Sequence, residues 1–398
     1  MPAACHRQSA SSQAGPDLGA VLRQFLPGFL AAHPRLPERK KRLLARMALC
    51  RSGTLGSTVL QCSQCGHTQS IPLGCGDRHC PSCQAAHSRR WLENQLRWLL
   101  PVPYYHVVFT LPQQLHGLVL SNQSALYGLL FDCAASSLLE FARRRLGGVP
   151  GITSILHTWG QQLTYHPHLH CIITGGALSD DEQTWSAPKQ RRYLFPVAAL
   201  AALFRGKFLA GVRALGSTLR LPKACAHPPW DALDKKHWHV YLKRPFGGPQ
   251  QALAYLANYT HRVAISNSRI QSFDAHHVRF RYRDYADGRK IKSRELTGSA
   301  FLKRFCLHLL PARFTKIRHY GILANNRKSA AIPQVRLLLH SKKTVALLLQ
   351  LRQQQQLADA AREPPQCPCC VGGQLLPFCV ITPHGVRLCR VRPFDDSS

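Results

Sequence analysis

The stretch LTYHPHLHCIITGG, residues 163–176, sets imidazoles at His166, His168 and His170. Side chains alternate along a strand, so residues at every second position share a face, with about 7 Å between them. Pro167 places His166 at the strand's edge, which leaves His168 and His170 as a pair able to share one metal ion. Two imidazoles suit zinc, manganese, nickel or iron. Magnesium would need carboxamide, water and phosphate oxygens to complete its shell. A third protein ligand is required, and HTWGQ just upstream offers Gln161, with His157 as the other choice. No carboxylate lies between 141 and 179, so a carboxylate ligand would have to come from elsewhere.

Two further groups of residues can do chemistry. In QQALAYLANYTHRVAIS, Tyr255 and Tyr259 stand four apart and share a face on a helix. A phenol can act as a covalent nucleophile when its electrophile is polarised, but paired aromatics at this spacing are also ordinary packing residues. In CSQCGHTQSIPLGCGDRHCPSC, Cys62 and Cys65 form one C-x2-C pair and Cys80 and Cys83 another. Two such pairs can wrap four thiolates around one zinc ion, a closed and therefore structural site. Cys75 and His79 are spare ligands in the same stretch. Near the end, Cys367 and Cys370 could form a second knuckle, with Cys379 and Cys389 downstream.

The elements that must position these residues are legible in outline. Residues 19–50 have helical apolar spacing, and SRRWLENQLRWLL (88–100) reads as a basic helix ending at Pro101. YYHVVFTLP (104–112) reads as a buried strand, and residues 124–148 as a helix with an arginine-rich last turn and a glycine stop. Strands are expected around 152–160 and 168–174, and helices at 196–214, 249–260 and 297–310. HVRFRYRDYADGRKIKSREL carries an Asp287-Gly288 turn signal. A two-residue turn there would pair Ala286 with Arg289, and would set Arg283 opposite Lys292 and Arg281 opposite Arg294. Like charges facing each other disfavour the sheet unless a polyanion covers them. The division expected along the chain is a polar N-terminus over 1–18, a zinc-binding and DNA-docking domain over 19–100, a catalytic domain over 101–330 and a tail over 331–398.

The bulk composition agrees with a polyanionic partner. The 398 residues hold 52 Lys and Arg against 19 Asp and Glu, a formal charge of +33. Such a surplus points to nucleic acid and says nothing about fold. LFPVAALAALF (194–204) is too short for a bilayer span, and the N-terminus has no cationic start followed by an apolar run. A cytoplasmic, nucleoid-associated protein with no membrane role is expected, and in that compartment sixteen cysteines suggest metal rather than disulfides.

In this order the pieces resemble the HUH rolling-circle transposases of bacterial insertion sequences, the ninety-one type with two tyrosines. CSQCGH…CGDRHCPSCQ is similar to that family's zinc-binding domain, and YYHVVFTLP to its first strand motif. HTWGQQLTYHPHLHCIITGG is similar to its histidine motif, and YLANYTHRVAISNSRI to its two-tyrosine motif. FRYRDYADGRKIK…FLKRFCLHLLPARFTKIRHYGILAN resembles the segment that follows. The resemblance covers about residues 25–330.

It implies an α+β fold: an HUH-endonuclease-like antiparallel sheet with flanking helices, preceded by a small N-terminal zinc-binding domain. It also implies a single-strand DNA nickase and strand transferase. Magnesium or manganese on His168 and His170, with Gln161 or His157 as the third ligand, would polarise the scissile phosphate. Tyr255 and Tyr259 would form 5′-phosphotyrosine links, and Cys62, Cys65, Cys80 and Cys83 would hold structural zinc. Arg281, Arg283, Lys292, Arg294, Lys316 and Arg318 would bind the single-stranded element ends and target. The rivals are a plasmid replication initiator or relaxase, a non-catalytic zinc-containing DNA-binding protein, and a metallohydrolase using the histidines alone. The last has no use for the charge or the tyrosines.

Overall fold

The computed structural model of the chain describes residues 15–190, 194–222, 229–243, 246, 251, 262–339, 353 and 364–389. Tyr255 and Tyr259 lie outside the described residues, as does nearly all of LRQQQQLADAAREPP. In chain order the elements begin with α1 (Leu18–Ala32), α2 (Glu38–Ala48), β1 (Ser57–Cys62), β2 (Thr68–Pro72), α3 (Pro81–Leu96) and β3 (Tyr104–Thr110). Then come α4 (His116–Ser121), α5 (Gln123–Leu146), β4 (Gly151–Trp159), β5 (Tyr165–Thr174), the short pair β6 (Ala177–Leu178) and β7 (Trp185–Ser186), and α6 (Val197–Leu215). They continue with α7 (Trp230–Lys235), β8 (Val240–Lys243), β9 (Ile270–Phe273), β10 (His277–Asp284), β11 (Lys290–Thr297), a helix over Gly298–Cys306 and β12 (Ile317–Gly321). A helix over Lys328–Leu338, β13 (Leu375–Thr382) and β14 (Gly385–Leu388) complete the set. The class is α+β with antiparallel sheets, as expected.

Two compact units form, and they are not colinear with the sequence. One gathers Met1–Ala85, Ile265–Lys303 and Gln354–Ser398, and the other Ala86–Ala264 and Arg304–Gln353. The basic hairpin, expected inside a 101–330 domain, and the cysteine-rich end, expected in a tail, both belong to the first unit.

In the second unit the sheet order is β12-β4-β5-β3-β8, with every pairing antiparallel. One face is largely apolar, with Ser154 of β4 buried in it. Tyr105, Val107 and Phe109 of β3, Leu169, Cys171 and Ile173 of β5, and Ile152 and Leu156 of β4 pack under α5 and α6. α5 turns this face into a core. It buries Leu126, Leu130, Phe131 and Leu138, and stops at Gly147 in the left-handed conformation, φ 67°, whose N–H bonds Arg143 O. Arg143–Arg145 complement the negative end of its dipole. By length and composition α5 could cross a membrane; here more than half of its apolar window is buried in the fold.

The opposite face of the sheet has two ends. Tyr104, Ile155 and Ile172 join Leu100, Ile322, Ile332 and Val335 in a second core. The other end carries histidines, and a bulge sets its geometry. His157 pairs with His168 and Trp159 with Tyr165, so two residues of β5, His166 and Pro167, oppose one of β4. A bulge is where a strand tolerates proline, which has no N–H to donate. β5 therefore runs through His166 instead of starting after it, and the His166 ring stays 5.0 Å from that of His168.

The first unit holds a four-stranded sheet, β14-β13-β1-β2, and a three-stranded one, β11-β10-β9. Asp17 caps α1 by accepting from Ala20 N–H at 2.7 Å. Asn267 accepts from Leu18 N–H at 3.1 Å and donates to Ser82 Oγ at 2.9 Å, tying α1 and the start of α3 to the segment before β9.

The register of the basic hairpin differs from expectation by one residue. Asp284 pairs with Lys290, Arg283 with Ile291 and Arg281 with Ser293. The turn takes five residues, with Gly288 and Arg289 both at positive φ. Lys292 on β11, next to the turn, bonds Asp284 and Asp287, both at 2.9 Å. A slip of one residue exchanges the faces. Arg279, Arg281 and Arg283 line the exposed face of β10, while Lys292 and Arg294 share the other face with Tyr282 and buried Phe280.

Candidate functional site

On the histidine end of the β12-β4-β5-β3-β8 sheet, one ring nitrogen from each of His157, His168 and His170 lies within 4.8 Å of the others. Cross-strand partners point to the same side of a sheet. His157 therefore joins His168 directly across the β4–β5 ladder, and His170 follows two residues on. The ring centroids are 4.6 Å apart for His157 and His170 and 4.9 Å for His168 and His170. Gln161, the expected third ligand, sits in the turn joining β4 and β5. The third imidazole of the cluster is that of His157, the alternative the sequence left open.

The surroundings set the protonation of these rings. His168 Nδ1 lies 2.7 Å from the backbone carbonyl of His166, and an oxygen acceptor requires Nδ1 to carry the proton. Nε2 is then left with its lone pair. His170 Nδ1 lies 2.9 Å from Nε2 of His106 on β3. Burial pushes His168 down to about 4 and His106 down to about 3. Burial and then the neighbouring His157 hold His170 well below the usual histidine range. Neutral imidazole is the ligand form, so the donor set suits a divalent cation with affinity for nitrogen.

Aromatic and basic groups border the cluster. Trp159 stacks on His157 at 4.6 Å, and Lys316 Nζ lies 5.3 Å over the Trp159 ring while donating to Arg262 O at 2.6 Å. Buried His308 fixes the turn, with Nε2 3.2 Å from Leu163 O and Nδ1 3.2 Å from Thr158 Oγ1. Arg318 is placed differently. It pairs with Ser154, which faces the apolar core, and lies 4.5 Å over Phe131 and 3.7 Å from Asp132. Arg318 is thus on the face of the sheet opposite the histidines.

The expected zinc ligands do not form one set. Cys80 and Cys83, at the start of α3, meet Cys50 from the end of α2 and Cys75 from the loop between. The Sγ separations are 3.6 Å for Cys50–Cys83, 3.7 Å for Cys75–Cys83 and 3.6 Å for Cys80–Cys50. Cys75 N–H and Gly76 N–H point at the sulfurs of Cys50 and Cys83. A Cβ on Gly74 would come within 2.9 Å of Cys83 Sγ, so the backbone is laid directly against this cluster. His79 bonds Asp77 at 2.7 Å and does not join the four thiols. Cys62 and Cys65 stand with Cys367 and Cys370 instead. Cys50, a single cysteine in MALCRSG, carries no spacing signal that sequence reasoning could have used.

Comparison with known proteins adds an independent line. Residues 21–111 match the family described as "Transposase zinc-binding domain", and residues 151–330 the family described as "Putative transposase". The chain is 38% identical over 382 residues to "Putative transposase y4qJ" of Sinorhizobium fredii, covering 92% of this chain and 95% of that protein. It is 31% identical over 306 residues to the "Transposase for insertion sequence element IS801" of Pseudomonas savastanoi pv. phaseolicola, covering 73% and 72%. Among solved structures, the relaxase TrwC complexed with a 27-mer DNA is 16% identical with a TM-score of 0.23, a match over 30% of this chain and about half, 47%, of that one.

Proposed function

The chain belongs to the IS91-type transposases, and from that premise we propose that it cuts and rejoins single-stranded DNA at the ends of a mobile element. The observation that carries this reading is the convergence of His157, His168 and His170 on one face of the β4–β5 ladder, with the outer nitrogens of two of them already engaged. A divalent ion held there would draw charge from a scissile phosphate.

Tyr255 and Tyr259 are the nucleophiles by their match to the two-tyrosine motif. The phenol oxygen of one bonds to phosphorus, the bond from phosphorus to O3′ breaks, and the 3′ oxygen leaves as a hydroxyl. The proton lost by the phenol balances the one that O3′ takes up. The new phosphotyrosine is a diester like the bond it replaced, so the 3′-hydroxyl can reverse the step without nucleotide hydrolysis. The second tyrosine makes the matching cut. Lys316, beside Trp159, brings a cation to the ring that stacks on His157, where it would meet a neighbouring phosphate. Arg281 and Arg283 on the exposed face of β10 hold backbone phosphates, and Cys50, Cys75, Cys80 and Cys83 hold a structural zinc.

The test uses 5′- and 3′-labelled single-stranded oligonucleotides carrying the element ends, with Mn²⁺ or Mg²⁺. The 3′-labelled fragment should remain on the protein after denaturation, and the 5′-labelled one should be released with a free 3′-hydroxyl. The adduct should vanish in Tyr255→Phe/Tyr259→Phe. An adduct that survives this double variant ends the tyrosine assignment, and unchanged nicking by His168→Ala/His170→Ala ends the metal assignment.

A further inference from the structure

Cys62 and Cys65 belong to the stretch matched as a zinc-binding domain, while Cys367 and Cys370 lie far outside it. Cys62 Sγ is 3.5 Å from Cys370 Sγ, and Cys65 Sγ is 3.6 Å from Cys367 Sγ. All four sulfurs lie within 4.8 Å of one another. A disulfide needs about 2.05 Å between sulfurs. Four thiolates at about 2.3 Å from a tetrahedral zinc stand roughly 3.8 Å apart, which is the spacing of a ligand set.

The backbone around the sulfurs is built for thiolate. Gln64 N–H and Cys65 N–H point at Cys62 Sγ, at 3.4 and 3.5 Å, and Cys369 N–H points at Cys367 Sγ at 3.3 Å. Each C-x2-C turn is followed by a glycine in the left-handed region, Gly66 at φ 70° and Gly372 at φ 80°. A Cβ on Gly373 would fall 2.5 Å from both Cys370 Sγ and Cys62 Sγ, so this position admits only hydrogen. The two turns are also sewn together, by Ser63 N–H to Gln374 O at 2.9 Å and Gln374 N–H to Ser63 Oγ at 3.2 Å, and the second is closed on itself by Cys367 N–H to Gly373 O at 2.7 Å.

The apolar core at this point is small. The buried cluster consists of Leu60, Leu375, Cys62 and Cys367, and every residue of β2 is exposed. So few apolar groups do not fix the pairing of β1 with β13, and small sheets of this kind are held by metal or disulfide.

We propose that Cys62, Cys65, Cys367 and Cys370 bind a second structural zinc ion that fastens β13 and β14 into the sheet of β1 and β2. The site joins ligands 302 residues apart in sequence. The sheet is then complete only when the C-terminal hairpin is present, and a chain cut before Cys367 keeps half a site.

The test counts zinc in the full chain after dialysis against EDTA to strip weakly held ions. The wild type should keep two zinc ions per chain. Cys62→Ser/Cys65→Ser should keep one, Cys367→Ser/Cys370→Ser should keep one, and the four substitutions together should still keep one. Adding Cys80→Ser/Cys83→Ser should remove the last. A quadruple variant that loses both ions, or a Cys367→Ser/Cys370→Ser variant that keeps both, overturns the proposal. Should the variants not fold, the wild-type chain loaded with cadmium-113 should give two four-thiolate resonances, and a single resonance overturns it equally.

Discussion

His170 on β5 shares a hydrogen bond of 2.9 Å with His106 on β3, and both rings are buried. An ion bound through Nε2 of His170 requires Nδ1–H to donate outward, and His106 Nε2 is the acceptor in place. His106 must then carry its own proton on Nδ1, and burial, which pushes it down to about 3, keeps it neutral. Partners of this kind fix the tautomer and angle of a ligand, and removing them weakens metal binding by about 10–100-fold. His106→Ala should show that loss in a Mn²⁺ titration followed by electron paramagnetic resonance, and His106→Gln, whose carbonyl can accept, should recover part of it. An unchanged dissociation constant in His106→Ala would reduce the contact to packing.

The donor set also orders the metals. Magnesium is hard, prefers oxygen and gives up water reluctantly, whereas manganese accepts imidazole. Three imidazoles from His157, His168 and His170 therefore favour manganese. In competition, Mn²⁺ should displace Mg²⁺ at well below equal concentration, and His157→Asp, which supplies a carboxylate, should narrow the gap. Equal affinity for the two ions in the wild type would show that oxygen ligands dominate the shell.

The hairpin register separates residues that the sequence groups together. Arg281 and Arg283 lie on the exposed face of β10, while Lys292 lies on the other face and bonds Asp284 and Asp287. Each phosphate contact contributes about 0.7 to the slope of log affinity against log salt for single strands. Arg281→Ala/Arg283→Ala should flatten that slope by about 1.4. Lys292→Ala should leave the slope alone and lower Tm slightly. Equal effects on the slope from both variants would argue that DNA covers both faces.

What the sequence showed and hid follows from the range of each interaction. The period of a strand is local, so His168 and His170 were legible as a pair. Their third partner, His157, depends on the register in which β4 and β5 pair, which runs unbroken from Ile152 and Ile173 to His157 and His168. The C-x2-C pairs were equally legible, but which pairs share a site is decided by folding across 302 residues. The Asp287-Gly288 signal marked the turn correctly but not its length, because Arg289 also adopts positive φ. α5 met its expectation to within two residues, since its glycine stop and arginine-rich last turn act within one turn of helix.

Acid stability should report on His319, which lies on β12 with Nδ1 3.0 Å from Thr153 Oγ1. Burial, helped by the charge of Lys328, pushes its folded value down to about 4. The unfolded chain takes up this proton near pH 6.5, whereas the folded chain resists it until about 4. Within that window the unfolded state binds more protons, so acidification favours unfolding. Stability from this ring is fully present above pH 7 and is lost as pH falls from 6.5 toward 4, at up to about 1.4 kcal/mol per pH unit. Protonation of thiolates holding the proposed zinc ions would also destabilise the chain in acid, so the measurement is a difference. Tm of the wild type minus Tm of His319→Gln, which stays neutral, should be constant above pH 7 and fall steadily below pH 6.5. A difference that stays constant down to pH 4.5 would mean that His319 accepts its proton in the folded state as readily as in the unfolded one.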